Sequence, residues 1–215
     1  IFPLEDYIFM NPVFSDKTKD LAPSAIREIF KSLTDPEMIS FAAGNPSPQS
    51  FPVEKMSLIS QDIFQNDYVN AFQYSVTEGY TPLRELVKKR LASKFGINYP
   101  DDELIITTGG QQGIDLTAKV LCNEHDVVIT EDPSFIGALN AFRAYNTRLV
   151  GVENEKDGIN VEKLEKAIIE NPYCKLIYLI PTFQNPSGTT MSLEKRKRVI
   201  ELANKYDKVI LEDNP

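Results

Sequence analysis

The sequence predicts an α/β protein built on a parallel, doubly wound sheet. From about residue 104 onwards, short apolar runs alternate with segments whose apolar residues recur at helical spacing. The runs are continuously apolar, as is typical of parallel strands that helices cover on both faces. Glycine, asparagine or acidic residues follow several of the runs. Because ligands bind at the carboxyl ends of parallel strands, the pattern also predicts a ligand site at that edge.

The first fifty residues do not follow this alternation. Residues 1–16 are rich in aromatic residues and proline without a period, which predicts an extended arm. Proline favours a first helical turn, and one apolar face predicts a helix over Pro23–Leu33, with a loop around Gly44 after it. We expect residues 1–50 to form an N-terminal arm and part of a small domain, and residues 51–215 to form a large ligand-binding domain.

The elements of the large domain are predicted in order from their spacing. A helix over Val53–Phe64 comes first, and a second begins at Thr81, with Thr81 as N-cap and Pro82 in its first turn. The predicted strands share short apolar runs: Leu104–Thr107, Val127–Thr130, Arg148–Val152, Leu176–Ile180 and Val209–Leu211. The predicted helices between them cover 111–121, 134–145, 161–170 and 192–206. Right-handed crossovers between these strands give the doubly wound sheet.

Composition excludes several classes of function. The net charge of −8 argues against a nucleic-acid surface, which needs clustered cations. No apolar run reaches the roughly 20 residues of a membrane helix, and no signal pattern opens the chain. The two cysteines have no metal-site spacing, so we predict no metal. His125, the one histidine, lies in a polar turn, which does not favour a mechanism that depends on it. We therefore expect a cytoplasmic protein.

Candidate binding residues follow four of the predicted strands. Gly110 and Gln111 lie in the glycine-rich turn TTGGQQG, which opens a helix and suits a phosphate, although a plain turn explains it equally well. Phe135, in EDPSF, is placed to stack on a planar ring or simply to pack on the next helix. Asn185, in PTFQNPSG, and Asp213, in LEDNP, offer an amide and a carboxylate to one ligand, or serve as a turn residue and a helix cap.

The order and spacing of these motifs resemble the fold type I pyridoxal 5'-phosphate (PLP)-dependent aminotransferases. Within them the chain is similar to the branch with the 2-aminoadipate and kynurenine aminotransferases. The upstream stretches FAAGNPSPQSFP (Phe41–Pro52) and QYSVTEGYTPLR (Gln73–Arg84) extend the resemblance. It implies the PLP-transferase fold, PLP as cofactor, and amino-group transfer between an amino acid and a 2-oxo acid.

The resemblance also implies a role for each candidate residue. Gly110 and Gln111 would bind the phosphate, and Phe135 would stack on the pyridine ring. Asn185 would hold the ring oxygen O3' and contribute to the substrate site, and Asp213 would pair with the ring nitrogen. Two upstream residues complete the set: Gly44 would lie near the substrate carboxylate, and Tyr74 would reach the cofactor of a neighbouring subunit. The last role implies a homodimer.

The sequence departs from the family pattern in three ways. Gly110 stands where many relatives have serine, so a hydroxyl contact to phosphate is lost. Phe135 stands where the branch often has tyrosine, so the ring remains without its phenol. The family's Schiff-base lysine lies downstream of Pro215, so we assign no catalytic residue. We expect the sheet to be incomplete and the chain alone to be inactive.

Other functions fit the same motifs. One alternative is the aminotransferase-like effector domain of a winged-helix transcription regulator, although Ile1–Asp20 shows neither a basic winged-helix segment nor a linker. A non-catalytic interaction fragment and another PLP reaction on this fold, such as β-elimination or decarboxylation, also remain open. The amino acid substrate is not predicted.

Overall fold

The computed structural model describes residues 13–15, 17, 46–98 and 100–215. These residues belong to two compact units. We call the part from Pro46 to Thr108 the helical unit and the part from Gly109 to Pro215 the sheet unit. The predicted helix at Pro23–Leu33 and Gly44 lie outside the described residues, and the predicted domain boundary at residue 50 stays a prediction.

The helical unit contains three helices after a short 3-10 turn at Pro48–Ser50. They are α1 (Val53–Asn66), α2 (Tyr68–Phe72) and α3 (Thr81–Phe95). The helix predicted from Val53 is confirmed. The helix predicted near Thr81 is confirmed too, but Thr81 is its first residue and Tyr80 occupies the N-cap position. Gly96, in the left-handed conformation with a φ of 68°, ends α3.

The strand predicted at Leu104–Thr107 is wrong. This segment belongs to the helical unit and forms no ladder with any described strand. Its Ile106 N–H donates to Glu78 O at 2.9 Å, and its Leu104 O accepts from the Arg84 side chain at 2.7 Å. The side chain of Ile105 is 57% exposed. The apolar, β-branched composition fits a strand, but a strand also needs a neighbour to accept and donate its hydrogen bonds.

The sheet unit is built on a five-stranded sheet of order β3-β2-β1-β4-β5. Its strands are β1 (Val127–Asp132), β2 (Arg148–Glu155), β3 (Gly158–Ile159), β4 (Cys174–Leu179) and β5 (Val209–Glu212). β1, β2, β4 and β5 run parallel, which confirms the other four predicted strands. The short β3 pairs antiparallel with β2 and was not predicted.

Helices cover both faces of this sheet, as predicted. They are α4 (Gly110–Leu121), α5 (Ile136–Arg143), α6 (Val161–Glu170) and α7 (Leu193–Tyr206). α4 and α5 pack on one face, where Val128, Leu176 and Tyr178 are buried. α6 and α7 pack on the other, where Ile129 and Ile177 are buried. Alternate residues of β1 and β4 therefore serve two separate cores, which explains the continuously apolar runs.

Candidate active site

A cavity of about 230 Å³ opens at the carboxyl edge of the sheet. It brings together all five binding residues that the sequence predicts in the sheet unit. Its lining is Gly110, Gln111, Ile114, Phe135, Ile180, Asn185, Asp213 and Pro215. The polar groups come from the residues that follow β4 and β5 and from the first turn of α4, and the remaining walls are apolar. The cavity thus offers a few convergent polar groups in an apolar setting, as small-molecule sites do.

The first turn of α4 forms one end of the cavity. Gly109, at the N-cap, has a φ of 82°, a conformation that favours glycine. A Cβ built on Gly110 would have no heavy atom within 4 Å, so the backbone there faces open space. The side chain of Gln111, which also lines the cavity, donates to Gly137 O at 3.0 Å. N–H groups in a first turn lack helical acceptors and attract anions.

The ring of Phe135 forms a side wall of the cavity, and its position requires glycine at residue 137. A Cβ on Gly137 would come within 2.5 Å of the Phe135 Cζ atom and 2.6 Å of the Gln111 Oε1 atom. Any other residue at 137 would therefore displace the aromatic ring and the Gln111 side chain together. The ring offers the cavity an apolar surface for a planar group.

Asn185 lies in an exposed loop that a buried glutamine supports. Gln184 is 2% exposed, and its side chain accepts from Ser187 N–H at 2.9 Å and donates to Pro133 O at 2.8 Å. Its backbone N–H donates to Thr189 O at 2.8 Å, which closes the loop. Asn185 thus lines the cavity from a loop whose backbone these hydrogen bonds hold.

A buried carboxyl group strengthens the link between β1 and the same loop. Glu131 is 2% exposed, and its Oε2 atom accepts from Ile180 N–H at 2.8 Å. Burial raises the pKa of Glu131, although the hydrogen bond from Ile180 acts in the opposite direction. This bond and the one from Gln184 to Pro133 O fix the segment with Phe135 against the segment with Asn185.

Asp213 also lines the cavity, and both its backbone and its side chain are held by hydrogen bonds. Its N–H donates to Leu179 O at 2.9 Å. Its Oδ2 atom accepts from the hydroxyl group of Tyr178 at 2.7 Å. The described residues offer Oδ1 no hydrogen-bond donor. A half-buried carboxylate held in this way is suited to a protonated nitrogen or another cationic group.

Two predicted residues are not brought to this cavity by any described contact. Tyr74 belongs to the helical unit, and its side chain is 99% exposed. Gly44 lies outside the described residues. Conversely, sequence reasoning missed the contributions of Glu131, Tyr178 and Gln184. A tyrosine inside the apolar run LIYLI is a signal, but it gains meaning only once the register pairs Tyr178 with Leu211, two residues before Asp213.

Fold and cavity together define a protein of the type I PLP-transferase fold. The family model described as aminotransferase class I and II matches residues 36–214, and the chain belongs to this family. It is 38% identical over 206 residues to aromatic-amino-acid aminotransferase 1 of Thermococcus litoralis, covering 94% of this chain and 49% of that protein. It is also 38% identical to the 2-aminoadipate transaminase of Thermus thermophilus, covering 89% and 46%.

A solved structure agrees with these relatives. The kynurenine aminotransferase of Pyrococcus horikoshii, in complex with PMP and KYN as substrates and KYA as product, has a TM-score of 0.87 and 38% identity. The match covers 94% of this chain and 51% of that one. A more distant relative, 28% identical, is the uncharacterized HTH-type transcriptional regulator YdcR of Escherichia coli, of which 43% is covered. The chain thus spans about half the length of the relatives it matches.

Proposed function

We propose that the protein containing this chain binds PLP and transfers an amino group between an amino acid and a 2-oxo acid. The observation that carries the proposal is the convergence of Gly110, Phe135, Asn185 and Asp213 on one cavity. These groups fit a phosphorylated pyridine: a helix N-terminus for the phosphate, an aromatic wall for the ring, and a carboxylate for its nitrogen. A Cβ built on Gly110 would meet no heavy atom within 4 Å, so the space beside it is open to a phosphate.

Each residue of the chain has a defined task in this proposal. The backbone of Gly110 and Gln111 binds the phosphate, and the ring of Phe135 lies against one face of the cofactor. Asn185 donates its amide N–H to O3' and helps to place the substrate. Asp213 keeps the ring nitrogen protonated by charge and hydrogen bonding. When bound, PLP supplies an electron sink for bond breaking at the α-carbon of an amino acid.

The proposed function also requires a lysine for the cofactor and a partner subunit. None of the described residues that line the cavity is a lysine. We propose that the family's cofactor-binding lysine comes from another part of the full-length protein. Borohydride reduction and peptide mass spectrometry of the full-length protein would locate it. We also propose a cytoplasmic homodimer in which Tyr74 reaches the cofactor of the partner subunit. Light scattering would give the oligomeric state.

The test is the variant Asp213→Ala in the full-length protein. Without the carboxylate the ring nitrogen loses its proton, and we expect amino transfer to fall by roughly a hundredfold or more, because a lost buried charge pair costs about 3–5 kcal/mol. The measurement is 2-oxo-acid-dependent turnover with a panel of amino acids. Glu212→Ala is the matched control, since Glu212 is exposed, ends β5 and directly precedes Asp213. An Asp213→Ala protein within about tenfold of wild type would refute the role.

The relative YdcR favours a second candidate, an effector-binding domain of a transcription regulator. The same assay separates the two functions. A protein that binds PLP in its cavity but transfers no amino group to any 2-oxo acid would support the regulatory function. Turnover that depends on Asp213 would support the enzyme.

A further inference from the structure

Tyr178 connects the buried face of the sheet to the cavity. The residue lies in β4 and its side chain is completely buried. Its ring packs edge-on against Phe142 of α5, with the ring centroids 5.5 Å apart and the planes at 68°. The ring is therefore fixed by packing, and only its hydroxyl group reaches towards the cavity edge.

That hydroxyl group meets one oxygen of Asp213. It donates to Oδ2 at 2.7 Å, while the Asp213 backbone is held by Leu179 O. Burial, and then the neighbouring carboxylate of Asp213, raise the pKa of Tyr178 far above its ordinary value. Both effects favour the protonated phenol, which is the form that donates to Asp213.

We propose that Tyr178 is a positioning residue that orients the Asp213 carboxylate for the cofactor. With Oδ2 bound to the phenol, rotation about the side chain of Asp213 is restricted, and Oδ1 is the oxygen left for a ring nitrogen in the cavity. The proposal rests on the proposed function, because it assigns Tyr178 a task only towards a bound pyridine ring. Tyr178 acts through Asp213 and does not itself line the cavity.

The test uses the full-length protein without cofactor and two probes that bind non-covalently. One is pyridoxamine 5'-phosphate, and the other is its analogue with carbon in place of the ring nitrogen. For Tyr178→Phe, which keeps the ring packing against Phe142, we expect the Kd of the first probe to rise about tenfold. The Kd of the carbon analogue should not change, because it has no nitrogen for Asp213 to hold.

A second tyrosine–aspartate pair provides the matched control. Tyr145 donates to the Oδ2 atom of Asp115 at 3.2 Å in the same unit, and neither residue lines the cavity. Tyr145→Phe should leave both Kd values unchanged. In an Asp213→Ala background, Tyr178→Phe should have no further effect on either probe, because the group it orients is gone.

The binding data distinguish a failure of the Tyr178 role from a failure of the proposed function. If Tyr178→Phe weakens both probes equally, it damages the cavity in general, and the positioning role is wrong. If it weakens neither, or still weakens pyridoxamine 5'-phosphate binding in the Asp213→Ala background, the role is also wrong. If wild-type protein binds neither probe, the proposed function fails, and the role of Tyr178 fails with it.

Discussion

The sheet unit encloses its own apolar residues, whereas the helical unit displays them. In the sheet unit, helices on both faces bury two clusters with side chains such as Leu164 and Phe142 that have no exposed surface. In the helical unit, no residue of α1, α2 or α3 is buried. Leu86, on α3, is 66% exposed, and Phe72, on α2, is 76% exposed.

This difference shows which part of the chain carries its own stabilisation. Most of a helix's stability in a protein comes from packing one face, not from propensity. The four helices of the sheet unit have that packing, and the cavity is built wholly from residues of this unit. The described residues give α1–α3 no comparable burial. The three predictions below use matched substitutions in the two units.

The largest difference is expected for leucine truncation. Leu164, on α6, is completely buried, so Leu164→Ala leaves a cavity and should lower the free energy of unfolding by about 3 kcal/mol. Leu86→Ala removes the same atoms from an exposed helix position and should change it by less than about 0.5 kcal/mol. Urea unfolding followed by circular dichroism measures both. Equal effects of the two substitutions would contradict the contrast between the units.

A smaller and pH-dependent difference is expected for carboxylates. Burial raises the pKa of Glu131, so folding favours the protonated carboxyl group. The contribution of this protonation to the free energy of unfolding is fully present below the ordinary pKa of 4.5. It is lost as the pH rises through the folded pKa. Glu131→Gln stays neutral and keeps an oxygen for Ile180 N–H, so it should match wild type near about pH 4 and exceed it by roughly 1 kcal/mol near about pH 8.

The matched carboxylate in the helical unit is Glu103. Its side chain is 80% exposed and lies 3.4 Å from the Arg84 guanidinium. Glu103→Gln should change stability by less than about 0.5 kcal/mol at either pH, because exposed ion pairs contribute little. Unfolding midpoints of the Glu131→Gln and Glu103→Gln proteins, measured at both pH values beside wild type, test these expectations. A Glu131→Gln protein that becomes less stable than wild type as the pH rises would show that the folded protein needs the charged form of Glu131.

The same contrast explains what the sequence could predict. Four strands and the helices of the sheet unit follow from apolar periodicity, because here the pattern and the packing agree. Leu104–Thr107 has the composition of a strand, yet composition does not supply a pairing partner. The motif residues from Gly110 to Asp213 could be placed at one edge, since parallel strands end together.

The residues that support the binding residues could be identified only from the structure. The bond from Tyr178 to Asp213 depends on the register of β4 with β5, and a shift of one residue would turn Tyr178 to the other face of the sheet. The bond from Ile180 N–H to the Glu131 carboxyl group joins residues 49 positions apart in the chain. Neither distance nor register is encoded in the local pattern of apolar residues.

The smallest difference is expected for two lysines in ion pairs. The side chain of Lys195, on α7, is 14% exposed and contacts Glu155 and Asp157 of the β2–β3 hairpin. It also donates to Gly158 O at 3.2 Å. Lys88, on α3, is 38% exposed and lies 3.8 Å from Glu103. Only the first lysine joins two elements of a packed unit, so only its removal should loosen the fold.

Methionine replaces both lysines, because it preserves much of the aliphatic stem. Hydrogen bonds from Lys195 lower the pKa of Glu155 and of Asp157, so the stability they contribute is present above their ordinary values of 4.5 and 3.8. It is lost as the pH falls through the folded pKa values. Lys195→Met should therefore lower the thermal midpoint at neutral pH, and the loss should shrink in acid. Lys88→Met should leave the midpoint unchanged throughout. A Lys195→Met protein with a pH-independent loss would assign the effect to packing of the lysine stem instead of its charge.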